Sequence, residues 1–174
     1  PRKSRILVYD IETLPPLIAK FNVYDDRPPL WYHSRGLMAS FAWKWLGERQ
    51  IHVRALPDYK TYKKDKYNDQ ELIDDLNDLF NEAEIIIAHN GDSFDQKISR
   101  GRFLIHGFPP PSGYRQIDTL KVARKNFKLE SNRLDALGEA LGVGRKIPND
   151  GKYLWRECYY GNMVAWRKMK RYNK

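Results

Sequence analysis

A chain of 174 residues, 41% hydrophobic and 30% charged, can bury one good core; this excludes a wholly disordered polypeptide and predicts a single domain over 1–174. The formal net charge of +9 points to a polyanionic partner, and no apolar run approaches the ~20 residues of a membrane-spanning helix. The start, Pro1-Arg2-Lys3-Ser4 ahead of a short apolar strand, lacks the long apolar stretch of a secretory signal, so the expected compartment is the cytoplasm.

Ile6-Leu7-Val8-Tyr9 is a β-favouring run that ends on Asp10-Ile11-Glu12 and reads as a buried central strand. Pro15, Pro16, Pro28 and Pro29 break up the next stretch, which excludes long regular structure there. Segments 37–46 and 50–56 then read as a hairpin across Gly47-Glu48-Arg49. Asn68 is the expected N-cap of a helix, with Glu71 three residues on as in a capping box. Leu72, Ile73, Leu76, Leu79 and Phe80 recur at helical spacing behind it, opposite a face of Asp74, Asp75, Asn77 and Asp78.

Glu84-Ile85-Ile86-Ile87-Ala88 predicts a second buried strand, and 94–106 a helix ended by Gly107 and a proline run. A weak strand at 115–118 precedes helices over 119–126 and 131–141, and a last amphipathic helix is expected from near Asn162. Strands as a meander, then strands alternating with helices, predict an α/β fold with a mixed sheet and helices on its faces.

Charge is concentrated at the C-terminal end. From Arg145 to Lys174 there are nine Lys and Arg against Asp150 and Glu157, a net of +7 of the chain's +9. Such a tail is either a solvated helix face or a nucleic-acid footprint. The lone Cys158 has no disulfide partner and reads as a buried, reduced thiol.

The acidic residues of Asp10-Ile11-Glu12 are two apart, so on a strand both leave the same face while Ile11 enters the opposite layer. Two carboxylates in one small space repel each other, which is costly at the end of a buried strand unless a cation compensates; hard oxygen ligands suit Mg²⁺ or Mn²⁺. The alternative is an ordinary exposed strand end. Ala88-His89-Asn90-Gly91-Asp92-Ser93-Phe94-Asp95 follows another buried strand and opens a helix. Parallel neighbours bring their carboxyl ends together, where open α/β sheets place their sites, so a carboxylate from this turn can share the metal.

With these two segments the chain resembles the DEDD, or DnaQ-like, 3′→5′ exonuclease superfamily of RNase H-like fold. YDIETLP (9–15) and AHNGDSFD (88–95) are similar to its first two motifs, as found in the proofreading domains of family B DNA polymerases. The resemblance implies that Asp10, Glu12 and Asp95 are metal ligands, that Thr13 and Leu14 hold the terminal nucleotide, and that Asn90 and Phe94 line the substrate channel. Asp92 is the rival third ligand; the family pattern N-x-x-F-D favours Asp95. Ile117-Asp118-Thr119-Leu120 and Leu134-Asp135-Ala136-Leu137-Gly138 resemble the helical section before the third motif, with Asp118 and Asp135 as cap or packing residues. The third motif of the tyrosine branch is Y-x-x-x-D. Tyr172 falls on its tyrosine, and the aspartate would lie two residues past Lys174, so the domain is expected to be cut short there, by truncation or by natural loss.

The activity so implied is metal-dependent hydrolysis of phosphodiester bonds at the 3′ end of single-stranded DNA, ahead of RNA, with two Mg²⁺ or Mn²⁺ ions and Tyr172 orienting the water. His89 is expected to be structural rather than the general base. The alternatives are a catalytically inactive nucleic-acid-binding module and the proofreading domain of a larger polymerase.

Overall fold

The computed structural model describes residues 4–148 and 151–174, so residues 1–3 of the basic start and Asp150 of the tail's charge count lie outside the described residues. The first strand, β1 (Ile6–Leu14), runs further than its apolar start predicts because the period-two pattern continues. Leu7, Tyr9 and Ile11 are buried on one face, while Val8, Asp10 and Glu12 are half-buried on the other. A bulge between Glu12 and Thr13 shifts its register. The proline-broken stretch beyond it holds two short strands, β2 (Leu17–Ala19) and β3 (Trp31–Ser34), paired antiparallel as a ribbon outside the main sheet. The expected hairpin forms from β4 (Leu37–Trp45) and β5 (His52–Ala55), with Gly47 at φ 96° in the turn, where a side chain would be strained.

Helix α1 (Gln70–Glu82) buries Leu72, Ile73, Leu76 and Phe80 as the spacing predicts, but its start is a correction. Asp69, not Asn68, holds the cap position, and Asn68 Oδ1 accepts from Gln70 N at 2.9 Å. Glu71 closes no capping box; it accepts from Thr61 N at 3.0 Å and from Thr61 Oγ1 at 2.6 Å. The Asp69 carboxylate is drawn into the interior by Met38 N at 2.8 Å, His106 Nε2 at 2.7 Å and the Arg102 guanidinium. A tertiary cluster has outcompeted the local cap.

Next come β6 (Ile85–Ala88), α2 (Asp95–Ile105), closed by Gly107 at φ 72°, β7 (Arg115–Asp118) and α3 (Thr119–Asn126). Helix α4 (Leu134–Ala140) is shorter than the expected 131–141, because Arg133 at its N-cap is extended. An unanticipated helix, α5 (Lys152–Tyr159), precedes α6 (Met163–Asn173). The last begins where expected, with Asn162 Oδ1 accepting from Val164 N at 2.9 Å and Ala165 N at 3.4 Å.

The main sheet has the order β5-β4-β1-β6-β7, antiparallel from β5 to β1 and parallel from β1 to β7. Tyr9 meets Phe80 of α1 edge-on at 5.2 Å, while Asp10, pointing the other way, meets Asn173 of α6, so these helices cover opposite faces. Phe80 also meets Phe103 at 5.3 Å and Tyr114 at 5.5 Å. Burying such a side chain contributes roughly 1.5–3 kcal/mol, and Phe80→Ala would cost about 3–5 kcal/mol because nothing else fills the junction. Cys158 is buried, and burial pushes its thiol up to about 12. No described helix is long and apolar enough to cross a membrane.

Candidate active site

The site lies where β1 and β6 end. β6 pairs with β1 only as far as Val8, so the backbone of β1 beyond that point lacks a strand partner on this side. Asp95, at the first position of α2, fills the gap: its Oδ1 accepts from Ile11 N at 3.2 Å. Its place at a helix N-terminus favours the charged form, yet burial, followed by the nearby Asp10 charge, pushes its pKa up to about 7. Glu12 is likewise pushed up to about 7, by burial and then by Asp10, with Asp95 adding a smaller repulsion. Burial also raises Asp10, opposed by Lys146, by a hydrogen bond from Asn173 and by His89. The three carboxylates thus feel one another's charge. Among the described residues, however, no three acidic or histidine side chains enclose a single ion position.

Asp92 is placed elsewhere. Its carboxylate is bound by Lys121 and Gln116, and its N–H donates to Asp118 Oδ2 at 3.2 Å. Asp118 caps α3 through Leu120 N at 2.9 Å and also accepts from Asn90 N at 2.9 Å. A cap is what the sequence assigns it, but the same carboxylate also fixes the turn between β6 and α2. That turn needs the fixing, since Asn90 has φ 63°, in the left-handed region. His89 is held at both nitrogens, Nδ1 to Thr119 Oγ1 at 3.0 Å and Nε2 to Asn132 O at 3.1 Å. Since that carbonyl can only accept, Nε2 carries the proton.

Asn90 and His89 line a cavity of about 470 Å³ together with Arg124, Arg133 and Lys146. Phe94, at the N-cap of α2, is exposed. Thr13 lines a second cavity, of about 510 Å³, whereas the Leu14 side chain is buried in the core. Tyr172 is half-buried on α6, its ring edge-on to Trp155 at 5.7 Å and capped by Lys146 Nζ at 4.3 Å. Burial works against the Lys146 charge, but the Tyr172 hydroxyl, Glu12 and Asp10 together hold its pKa above the ordinary lysine value.

Two members escape sequence reasoning. Asn173 donates from Nδ2 to Asp10 Oδ2 at 3.0 Å and accepts from Ser40 Oγ at 2.8 Å. Lys146 reads from sequence only as one more cation of the tail. Neither belongs to a spaced pattern, and both reach β1 from remote parts of the chain.

A mixed five-stranded sheet with acidic side chains at the carboxyl ends of adjacent parallel strands defines an RNase H-like α/β fold, a class that includes nucleases. A family profile described as the RNase H superfamily matches residues 40–174, and the chain belongs to that superfamily. No curated protein matches it in sequence. Among solved structures it is similar to the family B DNA polymerase from the hyperthermophilic archaeon Pyrobaculum calidifontis, with a TM-score of 0.63 and 16% identity over 98% of this chain. The likeness is one of fold, and the chain spans 23% of that polymerase.

Proposed function

We propose that this chain is a metal-dependent 3′→5′ exonuclease domain acting on single-stranded DNA ahead of RNA, and placed in the cytoplasm. The observation that carries the reading is the mutual repulsion of Asp10, Glu12 and Asp95 at the ends of β1 and β6. Buried like charges are costly unless a cation joins them, and hard carboxylate oxygens fit Mg²⁺ or Mn²⁺. These three residues would hold the ions, which supply Lewis acidity to water and to the phosphate. Tyr172 orients the attacking water, with Lys146 and Trp155 fixing its ring. Thr13 and Leu14 hold the terminal nucleotide, and Asn90 and Phe94 line the channel behind it. The structural neighbour is a polymerase, which favours a role as one domain of a larger replication enzyme.

A second reading, a binding module without catalysis, is favoured by one feature: an amide, Asn173, rather than a fourth carboxylate stands beside Asp10. The two readings separate on a 5′-labelled single-stranded oligonucleotide incubated with Mn²⁺ or with EDTA. The comparison uses this chain and a version carrying the residues that naturally follow Lys174. A metal-dependent ladder shortened from the 3′ end and lost in Asp95→Ala is the expected result. An intact oligonucleotide in every arm leaves the binding module.

A further inference from the structure

We propose that the cleft between α5 and the β2–β3 ribbon is a groove for the single strand, in which bases stack on Tyr32 and Tyr160 while Lys152 and Arg156 face the phosphates. The inference rests on the exonuclease reading and gives the substrate a path to the site. The cleft is the cavity of about 510 Å³, with Thr13 and Leu17 on one wall and Lys152, Trp155, Arg156 and Tyr160 on the other. That volume lies within the range of cavities that enclose a small ligand. It opens next to the carboxylates, because Thr13 follows Glu12 directly and Trp155 touches Tyr172.

The ribbon supplies the other jaw. Ser34 hydrogen-bonds Tyr159 of α5, so this face of β3 is turned toward α5, and Tyr32, two residues away on the same strand, shares that face. Tyr32 is 45% exposed and carries the Arg35 guanidinium over its ring at 4.5 Å. Tyr160 is 67% exposed, far more than core packing would leave it. From the site outward the aromatic rings follow one another. Tyr172 meets Trp155, Tyr159 meets Tyr160 at 6.3 Å and Tyr67 at 5.1 Å, and Tyr67 meets His33 of the ribbon at 6.4 Å.

Charge selects the occupant. Lys152, Arg156 and Arg35 border the cleft, and the acid closest along α5, Glu157, is already held by Arg156 and Asn162. Aromatic faces alternating with cations suit a single-stranded polyanion whose bases are free to stack, and they suit an apolar protein surface poorly.

The test is the anisotropy of 5′-labelled oligo(dT) titrated with the full chain in EDTA, where hydrolysis is silent. Tyr32→Ala and Tyr160→Ala are each expected to weaken binding about tenfold, the effect of losing one base stack, and Tyr160→Phe to restore it. Arg156→Gln should weaken binding and flatten its salt dependence. Tyr24→Ala, at the 90% exposed tip of the ribbon, should change nothing. Parent-like binding by both tyrosine variants overturns the groove. So does a parent dimer in sedimentation that Tyr160→Ala dissociates, since the cleft would then be a self-interface. If the Mn²⁺ ladder persists while either result holds, the groove alone fails; if there is neither binding nor ladder, the exonuclease reading fails with it.

Discussion

The side-chain amide of Asn173, the last residue of α6, donates to Asp10 Oδ2 at 3.0 Å and to the Asp10 carbonyl at 3.4 Å, while its own oxygen accepts from Ser40 at 2.8 Å. One buried amide therefore ties α6 to both β1 and β4 at the candidate site. Asn173→Ala would leave the Ser40 hydroxyl and the Asp10 carboxylate short of a partner, at a cost of about 1–3 kcal/mol. For a chain of this length each kcal/mol lowers the melting temperature by about 2–4 °C. Scanning calorimetry should show that loss, and an unchanged melting temperature would mean that water replaces the amide at no cost.

Asp118 accepts from three backbone N–H groups, those of Asn90, Asp92 and Leu120. Asp118→Ala removes a helix cap worth about 1 kcal/mol and releases the turn that carries Asn90 and leads to Asp95. The expected outcome is a modest loss in urea stability with a larger loss in exonuclease rate, since a misplacement of ~1 Å can cost on the order of a hundredfold. Equal residual activity and stability in Asp118→Ala and the parent would show that the turn holds itself.

The Asp69 carboxylate is fully buried and receives Met38 N, His106 and Arg102, whose second nitrogen also reaches Gly36 O at 3.2 Å. It joins the start of α1, the start of β4 and the end of α2. Arg102→Met strands that carboxylate and should cost about 3–5 kcal/mol by chemical denaturation. Combining it with Asp69→Leu should cost less than the two single changes together, because the stranded charge is gone. Strict additivity would deny the coupling.

Glu12 and Asp95 are both pushed up to about 7, above their ordinary 4.5 and 3.8, by burial and by the Asp10 charge, with Lys146 partly compensating at Glu12. The folded chain therefore binds protons that the unfolded chain has released. The stability contributed by these groups is present at about pH 4, falls as pH rises toward about 7, and is flat above it. In EDTA the melting temperature should decline across that window more steeply than in a Glu12→Gln, Asp95→Asn variant. Millimolar Mn²⁺ should raise it at pH 7 and above by mass action in the parent only. Parallel profiles for parent and variant would remove the repulsion from this site.

Much of this protein was legible in local pattern. Period-two alternation put Asp10 and Glu12 on one face of β1, the Leu72-to-Phe80 spacing made α1, and Gly47 and Gly107 marked the chain reversals, because side-chain direction and backbone sterics act over a few residues. Even so, the cap of α1 moved from Asn68 to Asp69, since Arg102, His106 and Met38 N offered that carboxylate stronger partners than the helix end did. The site depends on such distant partners throughout. Asp95 meets Ile11 N because β6 stops short of the end of β1, Asp92 is claimed by Lys121 and Gln116, and Lys146 is brought over Tyr172. Asn173 reaches Asp10 across 163 residues. Contacts of that kind form when helices dock on the two faces of the sheet; no periodicity encodes them, because their energy belongs to the packed molecule and not to any segment of the chain.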